Sequence, residues 1–160
     1  LITTSMELAK ATDAEIDRQI QSLSRKEIIE SSLTNFGAIF VTDSVDYAVE
    51  LANDFAPEHL EVMMQNPMEY IGKLDNAGSV FLGAYAPEPL GDYYAGPNHV
   101  LPTSGTARFF SPLGVDAFIK KSSYIYYTKD ALRSAKQDIV LLANREGLTA
   151  HANSILVRDE

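Results

Sequence analysis

The first half of the chain alternates between apolar residues at helical spacing and short apolar runs. Between residues 48 and 55, apolar residues recur every three or four positions, which predicts one helical face, and Pro57 is expected to end this helix. Runs typical of strands flank such segments, at 37–42, 60–64 and 79–83. Strands alternating with helices at this spacing predict an α/β fold with mostly parallel strands.

Local signals predict where further helices begin. Thr4 with Glu7, and Ser24 with Glu27, have the capping-box spacing that starts a helix, and Pro67 occupies a first helical position. The opening LITTS is typical of a strand leading into the first of these helices. Because the chain has no initial Met, we expect it to be a piece of a longer protein.

The periodic pattern stops between residues 83 and 114. This stretch contains five of the nine glycines and five of the seven prolines, together with several tyrosines and phenylalanines. Disordered segments are poor in aromatic residues, so the composition predicts an ordered, functional loop. A boundary near Val115 would separate an α/β portion, residues 1–114, from a small αβ tail, residues 115–160.

The tail is predicted to contain two strands around one helix. SSYIYY (122–127) and SILVR (154–158) are typical of strands. Residues 129–146 have an apolar helical stripe, and Gly147 is expected to close that helix in the left-handed conformation. His151 is expected to follow this last helix.

Composition and motifs exclude several classes of function. A net charge of −9 argues against a nucleic-acid partner, and no apolar run approaches the roughly 20 residues that cross a bilayer. The chain has no Cys, which excludes disulfides and thiolate metal sites and suits a cytoplasmic protein. Its glycines never fall in the dinucleotide-binding spacing, and HExxH, P-loop and nucleophile-elbow motifs are absent.

The histidines are the candidates for chemistry, together with nearby acidic residues. Neighbouring Glu58 and His59 would point to opposite faces of a strand, or could converge for acid–base work at a loop entry after Pro57. Asp92 could bind a cation or simply accept turn hydrogen bonds. Glu146 ends a helix, where the helix dipole slightly disfavours a negative charge.

Three segments together resemble the carboxy-terminal part of histidinol dehydrogenases: APEHLEV (56–62), GDYYAGPNHVLPTSGTARFFSPLGV (91–115) and REGLTAHANSI (145–155). The resemblance implies that residues 1–114 are the second half of a Rossmann-like domain. It also implies a cytoplasmic, zinc-dependent homodimer of histidine biosynthesis. That enzyme oxidises L-histidinol to L-histidine through a bound aldehyde, with two NAD molecules, and each tail packs on the partner subunit.

The resemblance also assigns roles to individual residues. Glu58 is similar to the residue that activates water, and His59 to the general base that also contacts substrate. Asp92 and His151 match two zinc ligands that also contact the substrate. His99 and Glu146 match two further substrate contacts. The family's other zinc ligands, a Gln and a His, and its NAD-binding residues would lie upstream of Leu1, so we expect the chain alone to be inactive.

Two alternatives stay open from the sequence. The same fold and chemistry could act on another amino or small alcohol, as in histidinol-dehydrogenase-like enzymes of other pathways. The chain could also be a non-catalytic α/β module that binds a metal or a partner.

Overall fold

The computed structural model describes residues 1–159. The described residues form four short strands, β1 (Ile2–Thr3), β2 (Phe40–Val41), β3 (His59–Val62) and β4 (Ser79–Leu82). Six α-helices accompany them: α1 (Met6–Ile20), α2 (Lys26–Phe36), α3 (Val45–Phe55), α4 (Glu88–Tyr93), α5 (Lys129–Arg145) and α6 (Thr149–Leu156). Short 3₁₀ helices lie at Pro67–Lys73, Thr106–Arg108, Val115–Phe118 and Val157–Asp159.

The strands form two parallel pairs, which confirms the predicted α/β class. β1 pairs with β2, and β3 pairs with β4 in the register that sets His59 opposite Ser79 and Glu61 opposite Phe81. All four strands predicted in this part form: β1, β2 and β4 are shorter than predicted, and β3 begins one residue before its predicted window. Contacts divide the chain into two compact units, Leu1–Phe118 and a second unit that begins at Ile119.

Two predicted helix caps are displaced by one residue. The Ser5 hydroxyl, rather than that of Thr4, accepts the Leu8 N–H at 3.1 Å and starts α1. α2 begins after Arg25, and no side chain caps it. At α1, two neighbouring hydroxyl residues compete for the cap position, because either can accept a hydrogen bond from the first helical turn.

α3 and its surroundings hold the second sheet in place. The helix buries Val49 and Ala52 and ends, as predicted, just before Pro57. The Asn53 side chain ties α3 to the connection ahead of β4: its Nδ2 donates to the Lys73 carbonyl at 2.8 Å, and its Oδ1 accepts the Asp75 N–H at 2.9 Å. These bonds fix the route by which the chain returns to the β3–β4 pair.

The stretch 83–114 contains a helix that the sequence analysis did not predict. α4 spans six residues, with Pro87 before it and Pro89 in its first turn. Proline suits the first helical turn, where its missing N–H has no intrahelical partner, so two prolines start this helix rather than break it.

The described part of the tail contains helices and no strand, so both strands predicted there are wrong. α5 and its left-handed Gly147 are confirmed, at a φ of 75°. Residues 154–158 instead continue α6 into a 3₁₀ helix, and α6 packs on α5, where Ala143 and Ala152 are buried. Residues 122–127 take no regular structure, because an apolar run forms a strand only beside a partner strand. No described helix is both long and apolar enough to cross a membrane.

Candidate functional site

His59 is the first residue of β3 and faces the same side of the sheet as Phe81 of β4. Side chains alternate along a strand, so His59 and Glu61 lie on one face, and the pairing places Phe81 beside them. The His59 and Phe81 rings are 6.0 Å apart between centroids and tilted by 41°. The imidazole is half-buried and rests against an apolar ring.

α4 brings two carboxylates to this imidazole. Glu88 and Asp92 are four residues apart and therefore share one face of the helix. Glu88 Oε1 lies 3.7 Å from His59 Nε2, within ion-pair distance when the imidazole is protonated. One ligand atom from each of His59, Glu88 and Asp92 lies within 4.8 Å of the other two.

Gly91 allows α4 to approach the sheet closely. A Cβ at this position would lie 2.6 Å from Cε1 and 2.9 Å from Cζ of Phe81, closer than packed carbon atoms can stand. Phe81 is buried, with 7% of its surface exposed, and has little room to move aside. Only glycine therefore permits this contact, which sets Glu88 and Asp92 over His59.

Glu61 ties the start of α4 to β3. Its carboxylate accepts the backbone N–H of Glu88 at 2.9 Å. The first N–H groups of a helix lack intrahelical partners, so this carboxylate caps α4 from the neighbouring strand. The strand that carries His59 and the helix that carries Asp92 are thus joined directly.

The site is electrostatically negative. Partial burial raises the pKa of Glu88 above its usual range; the hydrogen bond and charge of Asp92 and the charge of Glu61 raise it further, and His59 opposes the shift. Clustered carboxylates of this kind favour a cation among them. An imidazolium at His59 would meet that preference, and so would a divalent metal ion held by nitrogen and oxygen donors.

Glu58 and His99, the other predicted residues of the first unit, are not among the three clustered groups found in the described residues. Glu58 precedes β3, and its carbonyl accepts the Ser79 N–H at 2.8 Å; its side chain is half-buried. His99 is exposed, in the loop after α4.

Glu146 and His151 belong to the second unit. Glu146 follows α5 as its cap residue, as predicted, and its N–H donates to the Leu142 carbonyl at 3.0 Å. The sequence suggested that His151 follows the last helix. This is wrong, because α6 begins at Thr149 and contains His151. Both side chains are exposed.

Sequence reasoning missed Glu88. The carboxylates at 88 and 92 have i, i+4 spacing, but this pattern is useful only if a helix is expected, and PEPLG suggested a loop. The two prolines ahead of Leu90 were the available signal for a helix start.

Comparisons with known proteins agree along nearly the whole chain. Residues 1–159 match the family model described as histidinol dehydrogenase. A histidinol dehydrogenase of Caldanaerobacter subterraneus subsp. tengcongensis is 61% identical over 158 residues, which cover 99% of this chain and 37% of that protein. One from Listeria monocytogenes serotype 4b is 56% identical over 160 residues and 38% of its length. The chain thus spans little more than a third of these relatives.

A solved structure shows the same fold. The crystal structure of histidinol dehydrogenase from Elizabethkingia anophelis superposes with a TM-score of 0.77 at 36% sequence identity. The superposition covers 99% of this chain and 36% of that one. The sequence match and the shared fold agree over the same length, so the chain belongs to the histidinol dehydrogenase family.

Proposed function

We propose that this chain forms part of an enzyme of histidine biosynthesis that oxidises L-histidinol to L-histidine through a bound aldehyde. The observation that carries the proposal is the half-buried His59 imidazole set against the carboxylates of Glu88 and Asp92. A base that removes an alcohol proton must take and release protons near neutral pH, as histidine does. Membership of the histidinol dehydrogenase family supports histidinol as the substrate.

His59 is the general base in this proposal. It removes the hydroxyl proton of the alcohol, and later that of the aldehyde hydrate. The carboxylates of Glu88 and Asp92 lie beside it and are placed to orient the ring. Glu58, next to it in the chain, activates the water that adds to the aldehyde.

Asp92, His99, Glu146 and His151 bind and orient the substrate. Asp92 and His151 would also hold zinc, which accepts oxygen and imidazole donors and, when bound, positions substrate nitrogens. NAD, when bound, supplies the oxidising power; its binding residues are expected outside the present chain. We further propose a cytoplasmic homodimer in which each tail, with Glu146 and His151, completes the partner's site.

The test uses a chimaera, hereafter the graft. In it, this chain replaces the matching 158 residues of the full-length Caldanaerobacter relative. We expect the graft to reduce NAD with histidinol, and His59→Asn to lower kcat by about 100- to 10,000-fold while KM changes little. The isolated chain, assayed in parallel, is expected to form no NADH and to bind zinc weakly, because a catalytic zinc usually needs three protein ligands.

Two controls make the result decisive. Glu50→Gln changes an exposed residue of α3 and should leave kcat unchanged. Other amino alcohols are compared with histidinol to test the substrate. A graft that prefers another alcohol, or a His59→Asn graft within about threefold of its parent in kcat, would contradict the assignment.

A further inference from the structure

The helical turn that carries Glu88 is held at two points. The Glu88 backbone N–H donates to the Glu61 carboxylate, and the close Gly91–Phe81 contact seats α4 against the sheet. With 34% of its side chain exposed, Glu88 is half-buried beside His59. A surface glutamate needs none of these restraints.

From this geometry we propose that Glu88 is a positioning residue for His59. The inference rests on the proposed function of His59 as a base. Glu88 Oε1 lies on the Nε2 side of the imidazole, at 3.7 Å. Glu88 holds the proton on Nε2, which fixes the orientation of the ring and leaves Nδ1 to accept the proton of the substrate.

The arrangement matches a general requirement of histidine bases. An imidazole acts as a base only when one nitrogen is unprotonated, and the partner of the other nitrogen decides which one that is. A carboxylate on the far nitrogen also favours the charged ring. Distances between catalytic partners are commonly long before substrate binds and shorten afterwards, so 3.7 Å suits this role.

The kinetic test compares Glu88→Ala, Glu88→Gln, His59→Asn and the double variant Glu88→Ala/His59→Asn in the graft. Glu88→Ala should lower kcat by about 10- to 100-fold, with KM within about threefold of the parent. Glu88→Gln should lose less, because its amide oxygen can still accept from Nε2. The double variant should be no slower than His59→Asn alone, since a residue that acts through His59 has no effect once His59 is gone.

Several results would overturn the proposal. One is a kcat of Glu88→Ala within about threefold of the parent, and another is a double variant in which the two losses of kcat multiply. A third is a loss of kcat in Glu88→Ala that is explained by loss of bound zinc or by a lower thermal unfolding midpoint. Glu50→Ala, at an exposed glutamate of α3, is the matched control. If Glu88→Ala fails to fold, Glu88→Gln applies the same criteria.

A second measurement does not depend on activity. If the parent graft cannot oxidise histidinol, that result counts against the proposed function rather than against the role of Glu88. The contact between Glu88 and His59 is then examined by NMR of the isolated chain with labelled histidine. The His59 signals, identified by their loss in His59→Asn, should shift in Glu88→Ala and not in Glu50→Ala. Unchanged His59 ring-nitrogen signals would refute the contact.

Discussion

Glu58 and His59 are neighbours in sequence but occupy different environments. His59 Nε2 faces Glu88, and its ring lies against Phe81, whereas Glu58 lies outside the clustered group of the described residues. A water-activating carboxylate and a proton-accepting imidazole need separate positions, because each must reach a different atom of the reacting substrate. The two residues are therefore expected to affect different steps.

Glu58→Gln in the graft should impair aldehyde oxidation far more than alcohol oxidation. Only the second half-reaction consumes a water molecule, and loss of the group that activates it should slow that step by about 100-fold or more. The measurement feeds histidinol or the aldehyde separately and compares single-turnover rates. Glu50→Gln serves as the control, and equal losses in both half-reactions would remove Glu58 from this role.

At the scale of elements, α4 depends on its neighbours for its existence. Six residues are too few for a stable isolated helix, and Gly91 in its interior weakens it further. Two contacts compensate for this: the Glu61 carboxylate at its first turn and the close approach of Gly91 to Phe81. The position of Glu88 and Asp92 is thus a property of the β3–β4 pair as much as of α4.

Gly91→Ala should displace α4 and disrupt the site. The added methyl group would overlap the buried Phe81 ring, and overpacking of this kind typically costs about 1–3 kcal/mol of unfolding free energy. Chemical denaturation of the chain measures that cost, and kcat of the graft should fall with it. Gly72→Ala is a matched control, because a Cβ there meets nothing within 4 Å. Equal stability of the two variants would show that α4 is not seated by this contact.

At the scale of the whole molecule, large apolar side chains are left exposed. In the segment around 124–126 the exposed fractions are 95% for Tyr124, 85% for Ile125 and 87% for Tyr126. Contiguous exposed apolar residues of this kind mark interaction surfaces. The tail thus offers an apolar surface that the rest of the protein or a second copy could cover, and the mixing experiment below tests the second copy.

Mixing two inactive grafts, Asp92→Ala and His151→Ala, should restore activity if tails are exchanged. In a mixed dimer one site would then lack both groups and the other would retain both. With random pairing, activity should recover to about one quarter of the parent level. Subunit exchange is verified by differently tagged chains; exchange without recovery would argue that each chain supplies its own Asp92 and His151.

Periodicity and chain breakers specified α3 and α5 without help from the rest of the molecule. Their apolar stripes recur at helical spacing, and Pro57 and Gly147 act on residues next to them, so the signals are local. The strand windows at 60–64 and 79–83 were also recognisable, because β-rich runs between helices are typical of parallel sheets. The motif around His59 was found differently, from the resemblance of APEHLEV to histidinol dehydrogenases.

The tertiary structure decided the elements whose formation depends on distant partners. SSYIYY and SILVR have strand composition, but a strand needs a second strand to pair with, and the described tail provides packed helices instead. α4 forms although its sequence is rich in proline and glycine, because Gly91 packs on Phe81 and the Glu61 carboxylate accepts a hydrogen bond from its first turn. Glu88 is 29 residues beyond His59 in the chain, and only the fold brings the two side chains within 3.7 Å. The energy of that contact depends on distance in space rather than on separation in sequence, so local sequence patterns could not predict it.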